Sequence, residues 1–189
     1  YPEASGASLG IDGGRGSSED MHFLVRRARE LAFVASERVA LVGHSAGAQA
    51  AARCAAAPGC VADALVLLDT TQDYYAPSMP LHETLVREVR AGAANFTVPM
   101  LVAAGPGGMF ALMDELVGCE RTYLSVPELD HDEFISQGMQ RLDWLAARGT
   151  DADPARTARA RTNYAALCER VRLFLDAELG GDAAGWGAL

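Results

Sequence analysis

The strongest constraint on this chain is a glycine-flanked pentapeptide set between two segments of opposite character. Val39-Ala40-Leu41-Val42 is a short apolar run of the kind that fills a buried strand. It stops at Gly43-His44-Ser45-Ala46-Gly47, and an alanine-rich stretch with strong helix propensity follows without a break to about Ala57. Strand, sharp turn and helix in immediate succession leave the middle of the turn little choice of backbone. Ser45 must take a strained conformation, and the glycines beside it are expected because a Cβ there would clash. Such a G-x-S-x-G turn holds a serine hydroxyl up at the carboxyl end of a sheet. The amide of Ala46, in the first helical turn, has no intrahelical acceptor and lies where the helix dipole favours negative charge, so it can donate to an oxyanion. An incidental serine in a small-residue turn would look similar in isolation, but the setting between a buried strand and a helix favours a nucleophile.

Around this unit the pattern alternates. Residues 1–18 are rich in Gly and Ser and read as a loop crossing one end of a sheet. Ser17, with Asp20 three residues later, reads as the N-cap of a helix packed on the sheet, its buried stripe formed by Met21, Leu24, Val25, Ala28, Leu31 and Ala32. Pro58-Gly59 ends the helix that follows the pentapeptide. Val61 to Leu68 is apolar without interruption, which predicts a parallel strand covered on both faces, and it ends at Asp69. Residues 70–97 form an excursion, with a short amphipathic helix around 81–90, long enough to cover a site. A third strand is expected over Val98–Ala103, a helix from about Met109 to Val117, and a fourth strand over Arg121–Val126. The loop Pro127 to Phe134 follows, then a helix around 134–147, a linker near 149–154 and a last helix around 155–179. Buried strands alternating with helices predict one α/β domain over 1–189 with a doubly wound, mostly parallel sheet. The first clear strand runs straight into the pentapeptide, and neither an initiator Met nor a signal peptide precedes it. The chain is therefore expected to be the C-terminal portion of a domain whose earlier strands lie upstream.

Composition narrows the function classes. With 16 basic and 25 acidic residues the net charge is −9, which argues against nucleic acid or an anionic membrane as the main partner. Every basic residue is arginine, a bias read as GC-rich coding and not as a phosphate-binding signature. No apolar run approaches the roughly 20 residues of a membrane span. Cys54, Cys60, Cys119 and Cys168 follow no metal or redox spacing and read as small buried hydrophobes, with a Cys54–Cys60 bridge open only to an oxidising compartment.

Ligands of open α/β sheets bind at the carboxyl ends of strands, and Ser45, Asp69 and His131 each follow a different strand there. A serine hydroxyl needs a base to take its proton and an acid to orient that base. Serine, acid and histidine in that order, with GHSAG at 43–47, LVLLD at 65–69 and VPMLVAAG at 98–105, resemble the α/β-hydrolase superfamily from about Ser18 onward. LDT at 68–70, HDEF at 131–134 and FLDAELG at 174–180 look most like its platelet-activating-factor acetylhydrolase-like branch, among the esterases and lipases. The resemblance implies an α/β-hydrolase fold lacking its N-terminal strands, which in the family carry the second oxyanion donor and much of the acyl pocket. In many members the acid follows the strand ending here at Gly105, where this chain has Pro106-Gly107-Gly108. In a minority it follows the strand after the nucleophile helix, the position of Asp69.

The prediction is a serine hydrolase cleaving carboxylic esters of small molecules through an acyl-enzyme, with Ser45 as nucleophile, His131 as base, Asp69 as orienting acid and the Ala46 amide in the oxyanion hole. No cofactor or metal is required. Peptides or amides could be cut by the same triad, and a non-catalytic α/β-hydrolase-like binding domain is the alternative from another class. His131 stands among Asp130, Asp132 and Glu133 and could instead be a metal ligand or a solvated loop residue. Carboxylates packed against a general base would hold its proton too firmly, so these acids are expected to turn to solvent. Asp73, Asp114 and Asp130 are substitutes for Asp69. His44 reads as a turn residue beside the substrate pocket, with Tyr74 and Tyr75 as weaker lining candidates and Met79 beside them. His22 and His82 read as surface residues.

Overall fold

Each of the apolar runs becomes a strand of one sheet: β1 (Ala40–His44), β2 (Ala64–Leu68), β3 (Met100–Ala104) and β4 (Arg121–Ser125), all parallel in the order β1-β2-β3-β4. The computed structural model describes residues 11–180 apart from 33, 35–37, 61, 71–79 and 109, and leaves the side chains of 11–17 and 80–82 undescribed. Tyr74, Tyr75, Asp73 and Met79, and the side chain of His82, therefore lie outside the described residues. The register pairs Val42 with Val66 and Leu67 with Val102, so the carboxyl ends of the strands align.

Among the described residues six α-helices accompany the sheet: α1 (Ile11–Arg29), α2 (Ala46–Ala56), α3 (Pro80–Ala91), α4 (Ala111–Asp114), α5 (Ser136–Ala147) and α6 (Pro154–Gly180). Alternation along the strands sorts the core into two layers. Leu65, Leu67, Met100 and Val102 point to one face, where Ala48, Ala51, Ala52 and Ala55 of α2, Leu85 and Val89 of α3, and Leu112 and Met113 of α4 cover them. Ala64, Val66, Leu68, Leu101 and Ala103 point to the other, under Met139 of α5 and Ala160, Leu167 and Phe174 of α6. Small side chains on α2 let that helix lie close to the sheet, and this is what brings its N-terminus to the end of β1. Strands β2 and β3 are buried throughout, as the uninterrupted apolar runs require. Among the described residues no helix is long and apolar enough to cross a membrane.

Four expectations need correction. The strand order advances in one direction, so no reversal of the doubly wound kind falls among the described strands; the second face is covered because α5 and α6 fold back after β4. The first helix begins at Ile11, not at Ser17, running through Gly13, Gly14 and Gly16 despite their low propensity. It packs mainly against α2, so Leu24 and Leu31 of the expected stripe remain 61% and 43% exposed, while Val25 is buried. Helix α4 is one turn long instead of nine residues. Arg121 donates to the carbonyls of Met113 and Asp114, and the next amides close tighter i to i−3 bonds, Glu115 to Leu112 and Leu116 to Met113. Of the cysteines, all free thiols, Cys54 is buried and Cys60 and Cys119 are half-buried, but Cys168 is exposed.

Candidate active site

Ser45 sits between the last residue of β1 and the first of α2 with φ 54° and ψ −121°, a region that costs an L residue on the order of 1–3 kcal/mol. The strain is held in place at both ends. The Ser45 amide extends the β1–β2 ladder by donating to the Leu68 carbonyl at 3.0 Å, and its own carbonyl accepts from the Gln49 amide at 3.1 Å. Only one of the flanking glycines is sterically required. A Cβ on Gly43 would come within 2.5 Å of the Gly47 backbone and 2.6 Å of the Ala48 amide, whereas a Cβ on Gly47 would meet nothing within 4 Å. The turn is compact because strand backbone presses on helix backbone, and Gly47 contributes the main-chain atoms to that contact, not a missing side chain.

Asp69 follows β2 directly and also takes a positive φ, 43°, a conformation that Asp tolerates better than most residues. Its amide donates to the Ala103 carbonyl at 2.8 Å, and only 4% of the residue is exposed. Carboxylate Oδ1 accepts from the Gly105 amide at 3.2 Å. Oδ2 lies 2.5 Å from His131 Nδ1, and His131 Nε2 lies 2.9 Å from Ser45 Oγ. Because a carboxylate only accepts, Nδ1 carries the proton, leaving the Nε2 lone pair to accept from the serine hydroxyl. Three residues from three strand ends, 62 and 86 positions from His131 in sequence, thus form one relay.

Gly105 was not singled out from the sequence. It follows β3 directly and supplies a backbone donor to Asp69. A Cβ there would lie 2.7 Å from the Leu129 carbonyl and 3.2 Å from the Phe134 ring, so only glycine lets β3 approach the histidine loop.

That loop closes as a 3-10 turn, His131–Phe134, with Asp130 at its N-cap. Asp130 and Asp132 are largely exposed, as expected, but Glu133 is buried. It accepts from the Asp130 amide at 3.0 Å, completing a capping box. Arg156 of α6 forks onto both carboxylate oxygens of Glu133, with Nη2 at 2.6 Å from Oε2, and the same nitrogen reaches Asp130 Oδ2 at 2.8 Å. Glu133 raises the affinity of Arg156 for its proton above the ordinary arginine value. No spacing rule links Glu133 to an arginine 23 residues later, so the sequence alone gave no signal for this pair.

His44 is half-buried, with Nε2 2.8 Å from the His131 carbonyl and ring centroids 4.6 Å apart. Ala46 is exposed at the first position of α2. His22 is half-buried, not a surface residue, and its Nε2 is enclosed. Asp114 is exposed in α4, away from the relay. Among the described residues no group of three or more His, Cys, Asp or Glu side chains is placed to hold a metal ion.

Compared with known proteins, the chain matches no family model and no curated protein. The chemistry of this site rests on the relay, the strained serine and the helix N-terminus beside it.

Proposed function

We propose that this chain is a serine hydrolase of the α/β-hydrolase fold that cleaves carboxylic esters of small molecules through an acyl-enzyme. The observation that carries the reading is the relay Ser45–His131–Asp69 at 2.9 and 2.5 Å, built on a serine with a strained backbone. Ser45 Oγ adds to the ester carbonyl as its proton passes to His131 Nε2. The imidazolium so formed is stabilised by the Asp69 carboxylate, which the Gly105 amide helps to orient. The Ala46 amide faces the negative charge that develops on the carbonyl oxygen, where loss of one such donor typically slows turnover about 10²–10³-fold. His131 then returns its proton to the leaving alkoxide, and water repeats the sequence on the acyl group.

The test is covalent. Incubated with a fluorophosphonate probe, the chain should gain one adduct, mapped by peptide mass spectrometry to Ser45, and His131→Ala should lower its rate at least a hundredfold. A folded protein whose serine stays unlabelled would leave the non-catalytic binding domain as the better reading.

A further inference from the structure

We propose that His44 is a positioning residue: its ring ties the loop that carries His131 to the turn that carries Ser45. The inference rests on the reading of His131 as the general base and goes beyond it. Nε2 of His44 stands 2.8 Å from the backbone carbonyl of His131, an oxygen that can only accept, so His44 carries its proton on Nε2 and donates it. The two imidazoles lie 4.6 Å apart with a 36° tilt, and the Phe134 ring runs nearly parallel to His44, 13° off, at 6.5 Å. Adjacent residues of one turn thus grip one histidine at two points. Ser45 meets its ring, and His44 meets its backbone.

The arrangement answers a mechanical problem. His131 opens a single 3-10 turn of four residues, a short element with little rigidity of its own. Asp69 and Ser45 fix the direction of its ring, and Arg156 ties the turn to α6, but neither ties its main chain to the nucleophile turn. The His44 bond makes that tie, joining the backbone of the base to the residue before the nucleophile, 87 positions away in sequence. Burial holds the affinity of His44 for a second proton below the ordinary histidine value. The facing His131 ring acts in the same direction and the His131 carbonyl, Asp69 and Asp132 against it. At neutral pH it is therefore a neutral donor and puts no second cation beside the imidazolium formed in the reaction.

Three variants of the full chain test this: His44→Phe, which keeps a ring and removes the donor; His44→Gln, whose amide nitrogen reaches the Nε2 position; and His44→Asn, whose amide falls short of it. The readouts are fluorophosphonate acylation of Ser45, resolved into probe affinity and maximal rate, and the proton resonance of His131 Nδ1–H. H44F should bind the probe within about twofold of the parent but acylate about ten- to a hundredfold more slowly, the scale of a misplacement near 1 Å. H44Q should recover most of that rate. The Nδ1–H resonance should broaden or move in H44F and stay in place in H44Q; should H44F not fold, H44N takes its place. Acylation at the parent rate in H44F, or equal losses in H44F and H44Q, would overturn the proposal. Should the parent chain itself fail to acylate, the hydrolase reading falls, and the resonance alone decides whether His44 positions His131.

Discussion

Among single residues, the two glycines of the pentapeptide separate most sharply. From the sequence they look equivalent, one on each side of the serine. In the structure Gly43 is pressed against the Gly47 and Ala48 backbone, while the position of a Gly47 Cβ is open. Gly43→Ala should therefore cost about 2–3 kcal/mol, since neither main chain can give way. Gly47→Ala lies within α2 and should be neutral or stabilising by up to about 1 kcal/mol. Urea midpoints of the two variants decide the matter, and equal losses would show that the turn needs both glycines for another reason. Cys60 offers a second residue-scale prediction. The neighbouring Cys54 lowers the Cys60 thiol to about 6 while the Cys54 thiol itself rises. The deprotonated form is the nucleophile, so alkylation by iodoacetamide should rise with pH through about 6 and level off above it at Cys60. Cys119, which burial shifts upward, should gain reactivity only well above neutrality. Tryptic mapping of label from pH 5 to 9 would show a common rise at Cys60 and Cys119 if Cys54 does not act on Cys60 in this way.

At the scale of elements, the histidine turn depends on a helix that the motif does not include. Glu133 is buried and satisfied by Arg156 and by the Asp130 amide. Removing the guanidinium leaves a carboxylate enclosed without its partner, so Arg156→Met should cost about 3 kcal/mol. The double variant Glu133→Gln, Arg156→Met should regain much of that loss, because the stranded charge is gone. Chemical denaturation of the set measures the coupling; strictly additive losses would mean that the fork contributes little. The expectation that the acids beside His131 face solvent held for Asp130 and Asp132 and failed for Glu133. Local reasoning sees four consecutive polar residues and not the arginine that arrives from α6. The short α4 has the same origin: its end is set by Arg121 capping its carbonyls, a residue from the next strand.

Across the whole molecule, what was legible in the sequence was whatever a continuous run of side chains dictates. Leu65 to Leu68 and Met100 to Ala104 can be little other than buried parallel strands, and the first of them ends at Asp69, beside the turn after β1 that holds Ser45. What was not legible depends on contacts between distant positions: the Gly105 amide on Asp69, the His44 ring on the His131 carbonyl, and the face of α1, whose pattern predicted a sheet but whose partner is α2. The same long separations bear on how the chain is made. A ribosome delivers the strained serine first, the aspartate next and the histidine later, and Arg156 and Phe174, which pin the histidine turn and cover its side of the sheet, come later still. On the function proposed above, a nascent chain would carry the alcohol without its base until His131 is made, and reactivity would follow only once α6 has emerged and docked.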